Sequence, residues 1–181
     1  MIKLGEASAE AIINAGPAAI DLGEWLFTLT AEDYAACAEG HQSAAQARLP
    51  SGKRVSLNVE TVAGYFMVQH YIEKIAEKDR VLSVSPNTLL WLDDECFVLL
   101  QITWELFVTP IDDQHCRLTC KVTSETANEQ FAQTIQARTS EVEHSETPLQ
   151  LHILEETPLF AKDIERKART GVWQQPSGES Q

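Results

Sequence analysis

No stretch of this sequence approaches the ~20 consecutive apolar residues that a membrane-spanning helix requires. The richest run, Cys96 to Val108, is interrupted by Gln101, Thr103 and Glu105. Basic residues are scarce, with 14 Lys and Arg against 27 Asp and Glu and a formal net charge of -13. That balance offers no basic patch, so neither nucleic acid nor an anionic membrane is an expected partner. Lys3, Glu6 and Glu10 break up the N-terminal apolar residues, unlike a secretion signal, and the expected location is the cytoplasm. Four cysteines occur without C-x-x-C spacing or a matching His pair, so free thiols are expected and no metal or other cofactor. Also missing are a G-x-G-x-x-G turn, a Walker loop and a G-x-S-x-G elbow, which excludes the usual nucleotide-binding and α/β-hydrolase patterns.

What is present suffices for a folded domain. At 181 residues the chain can bury roughly 70% of its unfolded surface in one core. Eight Gly and seven Pro are too few for a low-complexity chain. Ser8 is placed to cap a short helix ending near Asn14, before Gly16-Pro17. Glu24 to Leu29 reads as a strand or docking segment, and Ala31 to Ala47 as two short helices parted at Gly40.

From Lys53 to Ser124 the period becomes two. Val55, Leu57 and Val59 alternate with polar residues, the pattern of a half-buried strand. Met67 to Glu77, Val81 to Ser85, Thr88 to Leu92, Cys96 to Val108 and His115 to Ser124 read as further strands. They are joined by Lys78-Asp79, Pro86-Asn87, Asp93-Asp94-Glu95 and Asp112-Asp113. Short acidic connections indicate an antiparallel meander. On the longest strand Val98, Leu100, Ile102, Trp104, Leu106 and Val108 form one wholly apolar face, which needs a cover. Helical spacing of Ala127, Phe131, Ile135, Arg138 and Val142, capped at Thr126, supplies part of it. A second helix restarting at Thr157-Pro158, with Leu159, Phe160 and Ile164 on one face, supplies the rest.

Met67-Val68-Gln69-His70-Tyr71, Glu73, Ile75-Ala76-Glu77 and Val84-Ser85-Pro86 resemble bacterial START-like proteins of the SRPBCC, or polyketide-cyclase-like, superfamily. Trp104-Glu105-Leu106, Pro110-Ile111-Asp112 and Glu155-Glu156-Thr157-Pro158-Leu159-Phe160-Ala161 are similar to an uncharacterised branch of it. The likeness runs from about Asp21 to Ala168. It implies an α+β helix-grip fold, in which a curved antiparallel sheet grips a long C-terminal helix over a cavity. Members bind lipids, polyketides, hormones or aromatic compounds, some catalyse cyclisation or hydrolysis, and some regulate chaperones. Pro148 and Pro158 depart from the family's single long helix and predict a split or kinked one. The expected organisation is a single domain over 1–171, with 8–15 as a helical extension and 172–181 as a disordered tail.

The expected function is binding of a small apolar or aromatic molecule between sheet and C-terminal helix. Tyr65, Trp91, Phe97, Gln101, Thr103, Phe107 and Phe160 are the expected lining. A cyclase- or hydrolase-type enzyme is the alternative, with His70 and Glu105 as an acid–base pair. Each also has a plainer reading, as a half-buried sheet histidine and a solvated carboxylate. A third reading is an acidic interaction module or chaperone regulator. His144 and His152 stand among Glu141, Glu143 and Glu155, which reads as a charged helix surface better than as a metal site. Leu149, Leu151 and Ile153 are available for a homodimer contact.

Overall fold

In a computed structural model, which describes residues 1–140 (138–140 by backbone alone) and 147–173, seven antiparallel strands form one sheet. In chain order the strands are β1 (Ile2–Ile13), β2 (His41–Arg48), β3 (Arg54–Val62), β4 (Tyr65–Ala76), β5 (Arg80–Trp91), β6 (Phe97–Pro110) and β7 (Cys116–Thr126). Their spatial order is β1-β7-β6-β5-β4-β3-β2, so a meander from β2 to β7 is closed by the N-terminal strand. Two short helices, α1 (Leu22–Phe27) and α2 (Ala31–Ala35), connect β1 to β2, and α3 (Glu129–Ser140) and α4 (Pro148–Thr170) follow the sheet.

The first segment is a strand, not the expected helix. Ala7, Ala9 and Ile13 are buried while Glu6, Ser8, Glu10 and Ile12 are exposed, a period of two that outweighs the capping potential of Ser8. Ala7 and Ala9 keep this face low where α4 lies along the strand. Gln150 Nε2 donates to the Ser8 carbonyl at 3.0 Å, and the Asn14 N–H donates to Glu165 Oε2 at 3.0 Å. The expected strand at Glu24 to Leu29 is instead α1, capped by Asp21, whose side chain accepts from the Glu24 N–H. Of the helical stretch predicted over Ala31 to Ala47, only α2 forms, capped by Thr30. The remainder becomes the edge strand β2, with a break before it at Gly40.

β6 matches its sequence pattern. Val98, Leu100, Ile102, Trp104, Leu106 and Val108 are all buried. β5 runs continuously through Pro86-Asn87, which forms an irregularity between Ser85 and Thr88 and not a turn. Asn128 caps α3 by accepting from the Phe131 N–H at 2.9 Å, so the helix begins two residues later than a Thr126 cap predicts. Val142, His144 and the 174–181 part of the expected tail lie outside the described residues.

The C-terminal helix is continuous from Pro148 to Thr170, against the predicted split. Pro148 sits in the first turn, where a missing N–H costs nothing, and Thr147 caps it by accepting from the Gln150 N–H. Pro158 is interior to the helix, but it faces solvent, and so does Leu154 four residues earlier, whose carbonyl loses its partner. Gly171 ends the helix at φ 66°, the left-handed conformation that suits glycine. On the inward side Ile153, Phe160, Ala161 and Ile164 are fully buried against the sheet. Phe160 meets Trp25 of α1 and Trp104 of β6, with ring centroids 5.1 and 5.5 Å apart, and Trp25 Nε1 donates to Asp163 Oδ2 at 2.8 Å. These aromatic contacts tie both helices to the sheet.

Candidate functional site

Between α4 and the β2–β4 side of the sheet, the core turns polar. The inward face of β3 is Ser56, Asn58 and Glu60, all buried, while Leu57 is 38% exposed. The alternation read from Val55, Leu57 and Val59 therefore marks β3 correctly as a strand but assigns Leu57 and Val59 to the wrong face. Across the ladder Asn58 is opposite Gln69 and Glu60 opposite Met67, which places Gln69 on the same inner face.

Four side chains converge there from three elements. β2 starts with His41, β3 contributes Glu60, and α4 contributes His152 and Glu156, one helical turn apart. His41 Nε2 lies 3.1 Å from Glu156 Oε2 and 3.3 Å from Glu60 Oε2. His152 Nε2 lies 3.3 Å from Glu156 Oε2 and 3.5 Å from Glu60 Oε2. All four donor atoms fall within 4.8 Å of one another. A second set of contacts holds them in place. Tyr34 donates its hydroxyl to Glu60 Oε2 at 2.6 Å, and Gln69 Nε2 donates to Glu60 Oε1 at 2.7 Å. His41 Nδ1 is 2.9 Å from the Tyr34 carbonyl oxygen, which can only accept, so Nδ1 carries a proton. The same two residues stack, with ring centroids 3.9 Å apart and 6° between planes.

Burial and charge oppose each other here. Burial disfavours the charge of His41, but hydrogen bonds and attraction from Glu156 and Glu60 outweigh it and raise its pKa to about 9. His152 follows the same balance and rises to about 10. Glu60 is resisted by burial yet held far below the usual carboxylate range by His152 and His41. Burial, reinforced by the negative charge of Glu60, pushes the Tyr34 phenol well above its ordinary value, so it stays a donor.

The cluster borders two spaces. One is a cavity of about 50 Å³, lined by Tyr34, Glu60, Val62, Met67, Gln69, Tyr71, Ile102, Trp104, Val122, Leu149, His152, Ile153 and Glu156. A water needs about 10–15 Å³, so this cavity accommodates a few waters. It falls well short of the roughly 300–1,000 Å³ of sites for larger organic ligands. The other is a surface groove of about 680 Å³ between the ends of β2 and β3 and the first turns of α4. Glu39, Gly40, Gln42, Thr61, Val62, Ala63, Pro148, Leu151, His152 and Glu155 line it. Val62 and His152 belong to both linings.

The residues expected to line a pocket from sequence are elsewhere. Phe97 is 47% exposed on the outer face of β6, beside Trp91 at 5.3 Å between ring centroids. Gln101, Thr103 and Phe107 share that outer face. Gln101 Nε2 donates to Glu125 Oε2, and Lys121 Nζ lies 5.2 Å from the Phe107 ring centre. Tyr65 borders a different groove, beside Phe131 and Ile135 of α3. Phe160 points inward but sits a layer deeper, packed 5.9 Å from the His41 ring. His70 and Glu105, the expected acid–base pair, also face outward, because their neighbours Gln69, Tyr71, Trp104 and Leu106 take the inner face. Arg80 holds Glu105 at 2.7–2.9 Å. The structure thus brings neither residue to the cavity.

Comparison by sequence finds no matching family model and no matching curated protein. Comparison of the fold finds many solved structures. A Thermus thermophilus protein shares 14% identity over 92% of this chain and 98% of its own, with a TM-score of 0.57. The Zhui aromatase/cyclase of a Streptomyces species shares 12% identity over 91% and 96%, with a TM-score of 0.57. A START superfamily protein of Mycobacterium smegmatis shares 13% over 91% and 97%, with a TM-score of 0.50. A seven-stranded antiparallel sheet gripping a 23-residue C-terminal helix, matched along nearly the whole chain, is the START-like helix-grip fold.

Proposed function

We propose that this protein binds a small amphipathic molecule in the groove between the β2–β3 end of the sheet and the start of α4. The observation that carries this reading is the shared wall of Val62 and His152 between the 680 Å³ groove and the polar cluster behind it. The groove has the volume of an organic-ligand site, whereas the interior cavity does not. Its lining pairs apolar surface from Val62, Ala63, Pro148 and Leu151 with polar groups from Gln42, Thr61 and His152. Its carboxylates, Glu39 and Glu155, favour a ligand whose polar end donates hydrogen bonds over a fatty acid. The fold shared with the Zhui aromatase/cyclase supports ligand binding in general.

The test is a panel of hydroxylated aromatics, aliphatic amines and fatty acids, screened with a chelator present and followed by backbone amide NMR shifts. Hydroxylated or amine-bearing compounds should perturb Thr61, Val62, Ala63, Leu151 and His152 saturably. Leu151 is 53% exposed, so Leu151→Arg should preserve the fold and abolish those shifts. Saturable binding that leaves these amides unmoved, or no binding across the panel, overturns the proposal.

A further inference from the structure

Two buried carboxylates demand two positive charges, because uncompensated ions in a low-dielectric interior cost several kcal/mol each. Glu60 and Glu156 are 6% and 5% exposed, and no Lys or Arg ion pair to either is formed among the described residues. Their compensation comes from two imidazoles. Two protons supply it on His41 and His152, and one divalent cation displacing them supplies the same total charge. The geometry suits the second arrangement. A tetrahedral ion with bonds of about 2.0–2.2 Å needs donor atoms about 3.3–3.6 Å apart. The four His–Glu edges measure 3.1, 3.3, 3.3 and 3.5 Å, and the His–His and Glu–Glu edges lie within 4.8 Å, so a small inward shift of the side chains completes the shell.

The surroundings have the form of a metal centre's outer contacts. The Tyr34 carbonyl accepts the Nδ1 proton of His41 and so directs Nε2 into the cluster, the usual way a ligating histidine is oriented. Glu60 is fixed through both oxygens, by Tyr34 and by Gln69. An independent observation points to an occupant. Gln69 is 3% exposed, and its Oε1 is buried in the lining of the same cavity with no hydrogen-bond donor. A water held in that cavity beside a bound ion is a donor of the kind this oxygen requires.

We propose that His41, Glu60, His152 and Glu156 form a binding site for a first-row divalent transition cation. Two imidazole nitrogens and two carboxylate oxygens suit borderline ions such as zinc(II) and exclude the all-oxygen preference of calcium or magnesium. The ion couples the edge strand β2 to α4, closing the sheet on its helix. The proposal does not depend on the occupant of the outer groove.

The test uses the purified full chain, stripped with a chelator and titrated with zinc(II) alone, with no organic ligand present. Binding should saturate at one equivalent, and cobalt(II) should give visible bands from nitrogen and oxygen ligands. On zinc addition the ring nitrogens of His41 and His152 should shift in NMR, while His70 and His115 stay in place. His152→Gln and Glu60→Gln should each weaken binding by at least about tenfold, and Tyr34→Phe by about 10–100-fold through the outer contact. Should a variant fail to fold, the histidine shifts of the wild type decide the matter. Absence of a saturable equivalent, or saturation with unmoved His41 and His152 signals, overturns the proposal.

Discussion

His41 and Glu156, 115 residues apart in sequence, meet at 3.1 Å between Nε2 and Oε2 in the interior of the protein. The contact joins the first residue of an edge strand to the middle of the C-terminal helix, so the polar cluster fastens the fold as well as forming the candidate site. Glu60 sits at its centre and accepts from, or pairs with, Tyr34, Gln69, His41 and His152. Glu60→Ala takes this acceptor from Tyr34 and Gln69, leaves Glu156 alone to balance two histidines, and should destabilise the protein by about 3–5 kcal/mol. Glu60→Gln keeps an acceptor for Tyr34 and should cost less. Urea unfolding in metal-free buffer measures both, and equal losses would rule out the hydrogen-bonding account.

The aromatic layer behind the cluster should be as sensitive. Phe160 is fully buried between Trp25, Trp104 and His41. Phe160→Ala should cost about 3–5 kcal/mol through lost burial and the hole left behind. Trp25 and Trp104 report the change directly by fluorescence, and a loss under about 1 kcal/mol would mean that the layer collapses to fill the space.

The sequence marks β6 clearly because one purpose, covering a sheet with apolar side chains, governs every inward residue from Val98 to Val108. β3 obeys two purposes at once. Its inner residues serve a polar cluster, so Leu57 and Val59 point outward and the usual inference from alternation inverts. The chemistry was hidden for related reasons. His41 falls in an Ala- and Gln-rich stretch whose helix propensity is overridden by pairing with β3, and nothing local announces that partner. His152 and Glu156 carry an i,i+4 signal, but it is visible only if the stretch from Pro148 up to Pro158 is read as part of one continuous helix. The exposure of Pro158, which makes that continuity affordable, is a tertiary fact.

A second charged knot sets an acid limit on stability. Lys167 Nζ lies 2.9 Å from Asp33 and 2.9 Å from Asp163, linking α2 to α4. Burial resists ionisation of Asp33, but Lys167, Thr30 and Arg166 outweigh it and lower its pKa. A carboxylate with a lowered folded pKa stabilises the protein above its unfolded pKa, near about 3.9. That contribution is fully present at neutral pH and is lost as pH falls through the folded value. Lys167→Met removes the leading one of these partners, so stability at pH 7 should drop while the slope on the acid side below about pH 4 becomes shallower. Parallel urea midpoints from pH 7 to pH 3 provide the check, and an unchanged slope would remove Asp33 from the account.

Pro158 should be a net cost that the fold tolerates. Alanine at this exposed interior position restores the N–H for the Leu154 carbonyl and improves helix propensity. Pro158→Ala should stabilise by up to about 3 kcal/mol, read as a rise in the urea midpoint. A decrease would show that the proline sets a helix shape on which the packing of Ile153 and Phe160 depends.

Gly40 is the position at which backbone fit and site geometry coincide. Its carbonyl accepts from the Thr61 N–H at 2.8 Å, and a Cβ placed on it would overlap the Thr61 carbonyl oxygen. The next residue is His41, which faces Glu60, the residue before Thr61. Gly40→Ala must therefore push β2 away from β3 where the two ligands meet, since neither strand's backbone can yield cheaply. Stability should fall by about 1–3 kcal/mol, and zinc(II) affinity should fall at least about tenfold. Gly52→Ala separates local strain from site damage. Gly52 has φ 86° in the β2–β3 turn with open space around it, so alanine there meets only a backbone penalty of roughly 1–2 kcal/mol. Zinc affinity in Gly52→Ala should match the wild type. If both variants bind zinc alike, the close approach of β2 and β3 at Gly40 does not set the site's geometry.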